Sequence, residues 1–401
     1  MARPKSARTV PVLAEYRRRR DLTQEQVAER LGLSVEMIRR HERGDARPGE
    51  RFQRGYARLY GATLAELGLA VEVTTGFVVP SEPAVLPMPV AMQPGDRIGP
   101  ATLVEIHRHM RQLVALDNQF GGTDLTNVAG RFFQSLTRQL GAGMFEPAIR
   151  KDLLAAVGEL AEITGWLAYD AGRHQLVRKM NQESLYYSRF VGDSTVELLT
   201  VQNASMHAGY LDRPFEALQL AESVLEGRYR LSPRVRCLFL VRKARALAQG
   251  GDESALRVLD EAMTLYGDGV SPSDPPWAWW VDQRELWWHE AMCRNDLADT
   301  TGALKAFERS AEAVPDGETR SRFVHRAHLA QAQVRARSWD AAGQTLAELS
   351  PLALQVASGR TGVLISSTVA DLKNHGTQVP ADLLASAVSL NESMADDFGS
   401  V

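Results

Sequence analysis

The stretch LGLSVEMIRRHERG, residues 31–44, carries Arg39, Arg40, Arg43 and His41 on one short segment that opens with Ser34 and closes at Gly44. Guanidinium groups this close together suit pairing with phosphate oxygens and with the acceptor edge of guanine. The surrounding charge points the same way. Residues 1–70 hold fourteen arginines and one lysine against nine acids, a local charge of +6, whereas the remainder carries −9 and the whole chain −3. A basic module on an acidic body is the asymmetry expected when one end of a chain meets a polyanion.

Positioning those side chains requires helices, and the punctuation for helices is present. Five short ones fit residues 12–69. Val12–Arg20 is the first, ending in RRRR. Thr23 with Gln26 forms a capping box for the second, in which Val27 and Leu31 share a buried face. Gly32 supplies a sharp turn, Ser34 caps the third helix, Val35–Arg43, and Gly44 ends it. Arg51–Tyr60 and Leu64–Gly68 follow, separated by Gly61, with Thr63 as the last cap. A helix, a glycine turn and a second Ser-capped helix make a helix-turn-helix.

The segment LTQEQVAERLGLSVEMIRRHERGDARP resembles the xenobiotic-response-element (XRE) and phage-repressor family. The resemblance covers about residues 10–69 and rests on Gln24, Ala28, Gly32, Ile38, Glu42 and the Arg43–Gly44 stop. It implies that the third helix enters the major groove of double-stranded DNA and that the start of the second meets phosphate. Carried to this chain, Arg40 would fork onto guanine, Glu36 would accept from cytosine N4, and Val35 would touch a thymine methyl. Arg39 and Gln24 would reach phosphate, with Ser34 and Arg43 completing the DNA-facing set. The competing assignment pairs Arg39, Glu42 and Arg43 within the fold. His41 stands where the family carries an aromatic or apolar residue, which gives it a packing role.

Residues 71–100 hold six of the 18 prolines, so they are expected to form an extended linker. From Ala101 onward the apolar spacing is helical, as in Ala101–Leu116, Leu125–Leu140 and Lys151–Ile163. An internal repeat then begins, each unit a helix, a Gly or Asp turn, and a second helix with a small residue near its start. Those residues are Val177, Ala217, Ala255, Ala303 and Ala342, at gaps of 40, 38, 48 and 39. The pattern resembles tetratricopeptide (TPR) repeats, whose hairpins bury apolar faces by stacking into a curved solenoid. The predicted fold is all-α: an N-terminal module over 1–70, a proline-rich linker over 71–100, and a TPR-like repeat domain over 101–401 that senses and dimerises.

GWLAYDAG and WAWWVDQRELWWHEAMCRNDL resemble the helical body of actinomycete regulators that join an XRE-type domain to TPR repeats. Peptide-sensing regulators of Gram-positive bacteria have the same domain order. The resemblance implies sensing of a peptide or small molecule. Aligning the repeats puts Trp166, Tyr169, Asn203, Met206, Trp288, Asn295, Gln331 and Arg335 on the concave side as the ligand-facing set; the alternative buries them against the 101–160 helices or a second subunit. Five of the seven tryptophans crowd between Trp277 and Trp288, as either pocket lining or core.

Other chemistry finds little support. The only cysteines, Cys237 and Cys293, are far apart, and neither a phosphate-binding GxxxxGK[ST] nor a zinc-binding HExxH occurs. His107 and His109, two apart on a helix, diverge. No cofactor or metal is expected, and no enzyme. The absence of an apolar run of ~20 residues argues against the membrane and for a cytoplasmic protein. The leading expectation is a ligand-responsive transcriptional regulator that binds a palindromic operator as a homodimer. A repressor whose repeats serve only as a protein-protein scaffold is the alternative.

Overall fold

The computed structural model describes residues 12–69 and 97–398, apart from Gly32, Gly49, Arg228, Asp268, Val270, Asp316 and the stretches 45–47 and 63–65. The linker prolines before Arg97 and the Thr63 cap therefore lie outside the described residues. Among those described there is no strand; an isolated parallel bridge joins Ile98 to Phe145.

The N-terminal bundle comprises α1 (Val12–Arg18), α2 (Gln24–Leu31), α3 (Val35–Arg43) and α4 (Glu50–Tyr60). Its core is Leu13, Val27, Ala28, Ile38, Tyr56, Tyr60, Leu67 and Leu69. The first helix stops at Arg18, two residues earlier than its arginine run suggests, and residues 66–68 form a turn where a fifth helix was expected. The α2 capping box is reciprocal: Thr23 N–H donates to Gln26 Oε1 at 2.9 Å, and Gln26 N–H to Thr23 Oγ1 at 3.2 Å.

Arg97 and Ile98, ahead of Ala101, already pack with the body. Ile98 is fully buried, and Arg97 donates to the Phe145 carbonyl at 2.8 Å. Two helices, α5 (Pro100–Phe120) and α6 (Leu125–Gly141), pack on the first long hairpin, α7 (Arg150–Asp170) with α8 (His174–Val191). The next hairpins are α9 (Ser194–Tyr210) with α10 (Pro214–Leu225), and α11 (Pro233–Gln249) with α12 (Ser254–Gly267). Then come α13 (Gln283–Asp296) with α14 (Thr300–Glu312), and α15 (Thr319–Arg335) with α16 (Trp339–Ala353). A sixth hairpin, α17 (Gly359–His375) with α18 (Ala381–Phe398), closes the series. It escaped the repeat pattern because α18 carries the buried Leu383 where four of the other second helices carry alanine.

The hairpins are repeats in geometry as well as in sequence. In each of the first five, one backbone bond of the same kind closes the turn: Arg173, Arg213, Asp252, Asp299 and Ser338 donate to the carbonyls of Ala168, Ala208, Leu247, Arg294 and Gln333. This is a helix end in which the residue before the donor takes a left-handed backbone. Gly172 and Gly251 adopt it freely, while Asp212, Ala298 and Arg337 adopt it with φ of 55°, 63° and 57°. The five small residues Val177, Ala217, Ala255, Ala303 and Ala342 are all buried, at 2% exposure or less, where the two helices of a hairpin approach.

The array curls until it closes. α17 packs against α7 and α15 against α5, so residues as far apart as Tyr169 and Arg360, or Asp117 and Arg320, meet. No helix among the described residues is long and apolar enough to cross a membrane.

Candidate nucleic-acid interface

α3 is a helix whose ends are determined by local chemistry. Ser34, in an extended conformation, accepts the Met37 N–H at 3.2 Å, and Gly44 at φ 77° turns the chain back onto the Arg40 and His41 carbonyls. Met37, Ile38, His41 and Glu42 face the bundle core, which leaves Glu36, Arg39 and Arg43 exposed and Arg40 half-exposed. Val35 is half-buried against the core. Ser34 is exposed but its hydroxyl serves the cap.

The polar underside of α3 is tied to the other helices through Glu42. Its carboxylate, 6% exposed, accepts from Arg17 Nε at 2.5 Å, from Arg17 Nη2 at 3.0 Å and from Gln24 Nε2 at 2.8 Å. A planar guanidinium meeting a carboxylate with two parallel bonds gives both strength and orientation. Gln24 then passes the order outward, because its Oε1 accepts from Arg39 Nε at 3.2 Å. Arg39 thus stands on the surface with one edge already held. Glu36 approaches Arg43 at 3.3 Å and Arg39 at 3.6 Å, both pairs well exposed. His41 is 4% exposed, with Nδ1 3.1 Å from the Tyr56 hydroxyl; burial, aided by Arg40, pushes its pKa down to about 4. It is a neutral packing residue.

Residues 12–69 match the family model of a helix-turn-helix domain. The match supports residues 12–69 as a DNA-binding module. No curated protein matches the chain. Within the helix-turn-helix, the α2–α3 surface brings together six of the seven residues singled out from sequence: Gln24, Ser34, Glu36, Arg39, Arg40 and Arg43. Val35 sits at its edge. Sequence reasoning missed Arg17. The signal was available, since Leu13 and Arg17 lie four apart and so share the inward face of α1.

The second candidate surface is the lining formed by the first helices of the hairpins. Adjacent first helices are bridged by polar side chains about one repeat apart. Asn203 Nδ2 donates to Glu162 at 2.7 Å, Arg242 Nη2 to Gln202 at 2.9 Å, and Arg242 Nη1 meets His289 Nε2 at 2.9 Å. Farther on, Arg335 donates to Asn295 at 3.1 Å and to Asp371 at 2.9 Å, and Gln331 to Ser367 at 3.1 Å.

The eight residues expected on the concave side divide into two groups, with Trp288 apart from both. Trp166, Tyr169 and Met206 form one cluster with Ala168 and Val177. There the array closes: Trp166 Nε1 donates to Asp117 at 2.9 Å, and Arg320 and Arg360 lie over the Trp166 and Tyr169 rings at 5.3 and 4.8 Å. Asn203, Asn295, Gln331 and Arg335 belong to the polar ladder. Trp288 packs with Phe307 and Ala303, edge-on to His328. The other crowded tryptophans diverge: Trp277 donates to the Thr195 carbonyl at 3.1 Å, Arg309 covers Trp287, and Trp279 is exposed.

Proposed function

We propose that the protein is a sequence-specific transcriptional regulator of the XRE type that binds a palindromic operator in double-stranded DNA. The observation that carries this reading is the row of exposed Arg39 and Arg43 with half-exposed Arg40, on a helix capped at both ends and braced from behind by Glu42. α3 would lie in the major groove, with Arg40 forked onto guanine O6 and N7. Arg39 and Gln24, already bonded to one another, would share a phosphate at the start of α2. Glu36 and Arg43 exchange their mutual ion pair for DNA, and Ser34 and Val35 flank the contact. One helix-turn-helix reads only a few base pairs, so specific affinity calls for a homodimer over two half-sites about one turn apart.

The TPR-like array is the dimerising and sensing part in this reading. Its lining of amides, guanidinium and aromatic groups suits a peptide or a small polar molecule. Trp166, Tyr169, Asn203, Met206, Trp288, Asn295, Gln331 and Arg335 are the residues proposed to respond to it. A second reading, in which the array is only a protein-protein scaffold, is favoured by how many of these groups are already bonded to one another. Selection of bound sequences from random DNA tests the first proposal; a pool with no enriched motif would overturn it. Thermal unfolding with peptide and small-molecule fractions of cell extract separates the two readings of the array, since only the sensor shifts its melting temperature.

A further inference from the structure

On the outer helix of the first hairpin, one face is left without a partner in the fold. α8 buries Val177, Met180, Asn181, Ser184 and Ser188. At 3.6 residues per turn the opposite side belongs to Gln175, Arg178, Lys179, Gln182, Tyr186 and Phe190, and all six are exposed. Tyr186 and Phe190, one turn apart, are 61% and 60% exposed, and their rings stack at 6.3 Å. Aromatic rings paired with each other in open water mark a contact surface. The stripe is also polarised. Its N-terminal half is cationic through Arg178 and Lys179; its C-terminal half is aromatic.

We propose that α8 is the seam of the homodimer, packed antiparallel on α8 of a second copy about a two-fold axis at Gln182. The inference rests on the dimeric reading above and adds where the subunits meet. An axis at residue 182 sets Arg178 against the partner's Tyr186, and symmetry repeats the pair in reverse. Each copy thus supplies the cation that the other's ring face attracts. A parallel arrangement would instead set cations on cations. The polarity of the stripe therefore selects the occupant: a surface with an aromatic end and a basic end, in opposite order, is this helix turned around. The 18-residue helix offers about 27 Å of seam.

Sedimentation of the full-length protein, together with thiol cross-linking, tests the seam. Tyr186→Glu with Phe190→Glu should leave thermal unfolding unchanged at concentrations low enough for both proteins to be monomeric, because both side chains are exposed there, and should weaken self-association by about tenfold or more. Gln182→Cys should cross-link to itself with a short bismaleimide. Gln175→Cys should not, since two such residues would stand about 21 Å apart along the seam. The native cysteines are both buried and leave the assay clean. A dimer that survives the double glutamate variant, or that cross-links at Gln175→Cys and not at Gln182→Cys, overturns the seam while leaving dimerisation intact. A wild-type monomer at micromolar concentration overturns both.

Discussion

Arg320 at the start of α15 donates through Nη2 to Asp170 at the end of α7, 2.8 Å away and 150 residues earlier in the chain. Asp170 is fully buried and also accepts from the Ser358 hydroxyl at 3.0 Å and the Gly122 N–H at 3.1 Å, with Arg360 at 3.5 Å. Burial opposes its charge, yet Arg320 and Arg360 outweigh burial and hold the carboxyl below its ordinary range. At Asp117 burial wins, and that carboxyl is pushed up. One carboxylate therefore joins α7, α15, α17 and the turn after α5, and the array is closed by charge as well as by packing.

Asp170→Ala should cost about 3–5 kcal/mol, since it removes the carboxylate shared by two largely buried guanidiniums and leaves Arg320 only Asp117 at 3.7 Å. Urea unfolding of the full-length protein measures this. A loss within ~0.5 kcal/mol, as for an ordinary surface site, would mean that the closure is carried elsewhere.

The closing turn predicts a gain. Ala298 holds φ at 63°, a region that costs an L-residue with a Cβ roughly 1 kcal/mol. Ala298→Gly should relieve that strain and, after the greater freedom of glycine when unfolded, raise stability by up to about 1 kcal/mol. A drop in melting temperature would contradict the left-handed turn.

On the DNA side, Arg40→Ala should cost about 1–3 kcal/mol on the selected sequence and relax preference at one base pair. Gln24→Ala should weaken all sequences alike, because it frees Arg39 from its brace and removes a phosphate partner. Glu36→Ala should tighten non-specific binding, since it removes a negative charge beside Arg39 and Arg43, while altering stability by no more than ~0.5 kcal/mol. Binding isotherms on specific and random duplexes at fixed salt separate the three.

Stability should peak near pH 6.5. His207, His289 and His325 are held neutral, each pushed down to about 4 chiefly by burial. Between about 4 and 6.5 only their unfolded forms take up protons, so the stability they give is full above that window and is lost as pH falls through it. Glu162 acts in the opposite sense. Burial, then Glu159, pushes it up to about 8, so the folded state keeps a proton that the unfolded chain has released. Its contribution fades as pH rises from about 4.5 to 8. Glu162→Gln should therefore be more stable than wild type at pH 8, with the gap closing by about pH 5. Urea midpoints across this range test the sign.

What was legible in the sequence was local. Ser34, Gly44 and the Thr23–Gln26 box cap helices through bonds spanning three or four residues, so residue identity and spacing suffice to find them. The hairpins were legible because a close helix crossing favours a small side chain, repeated about every 40 residues; the sixth was hidden by Leu383 at that position. Tertiary structure decided the rest. Spacing from Leu13 places Arg17 on the inward face of α1, but no local feature names its partner, Glu42, 25 residues on. Trp166 and Tyr169 look like the aromatic lining of an open groove until the array curls and sets Arg320 and Arg360 upon them. Small rotations between successive hairpins accumulate into that closure, and no short stretch of sequence records their sum.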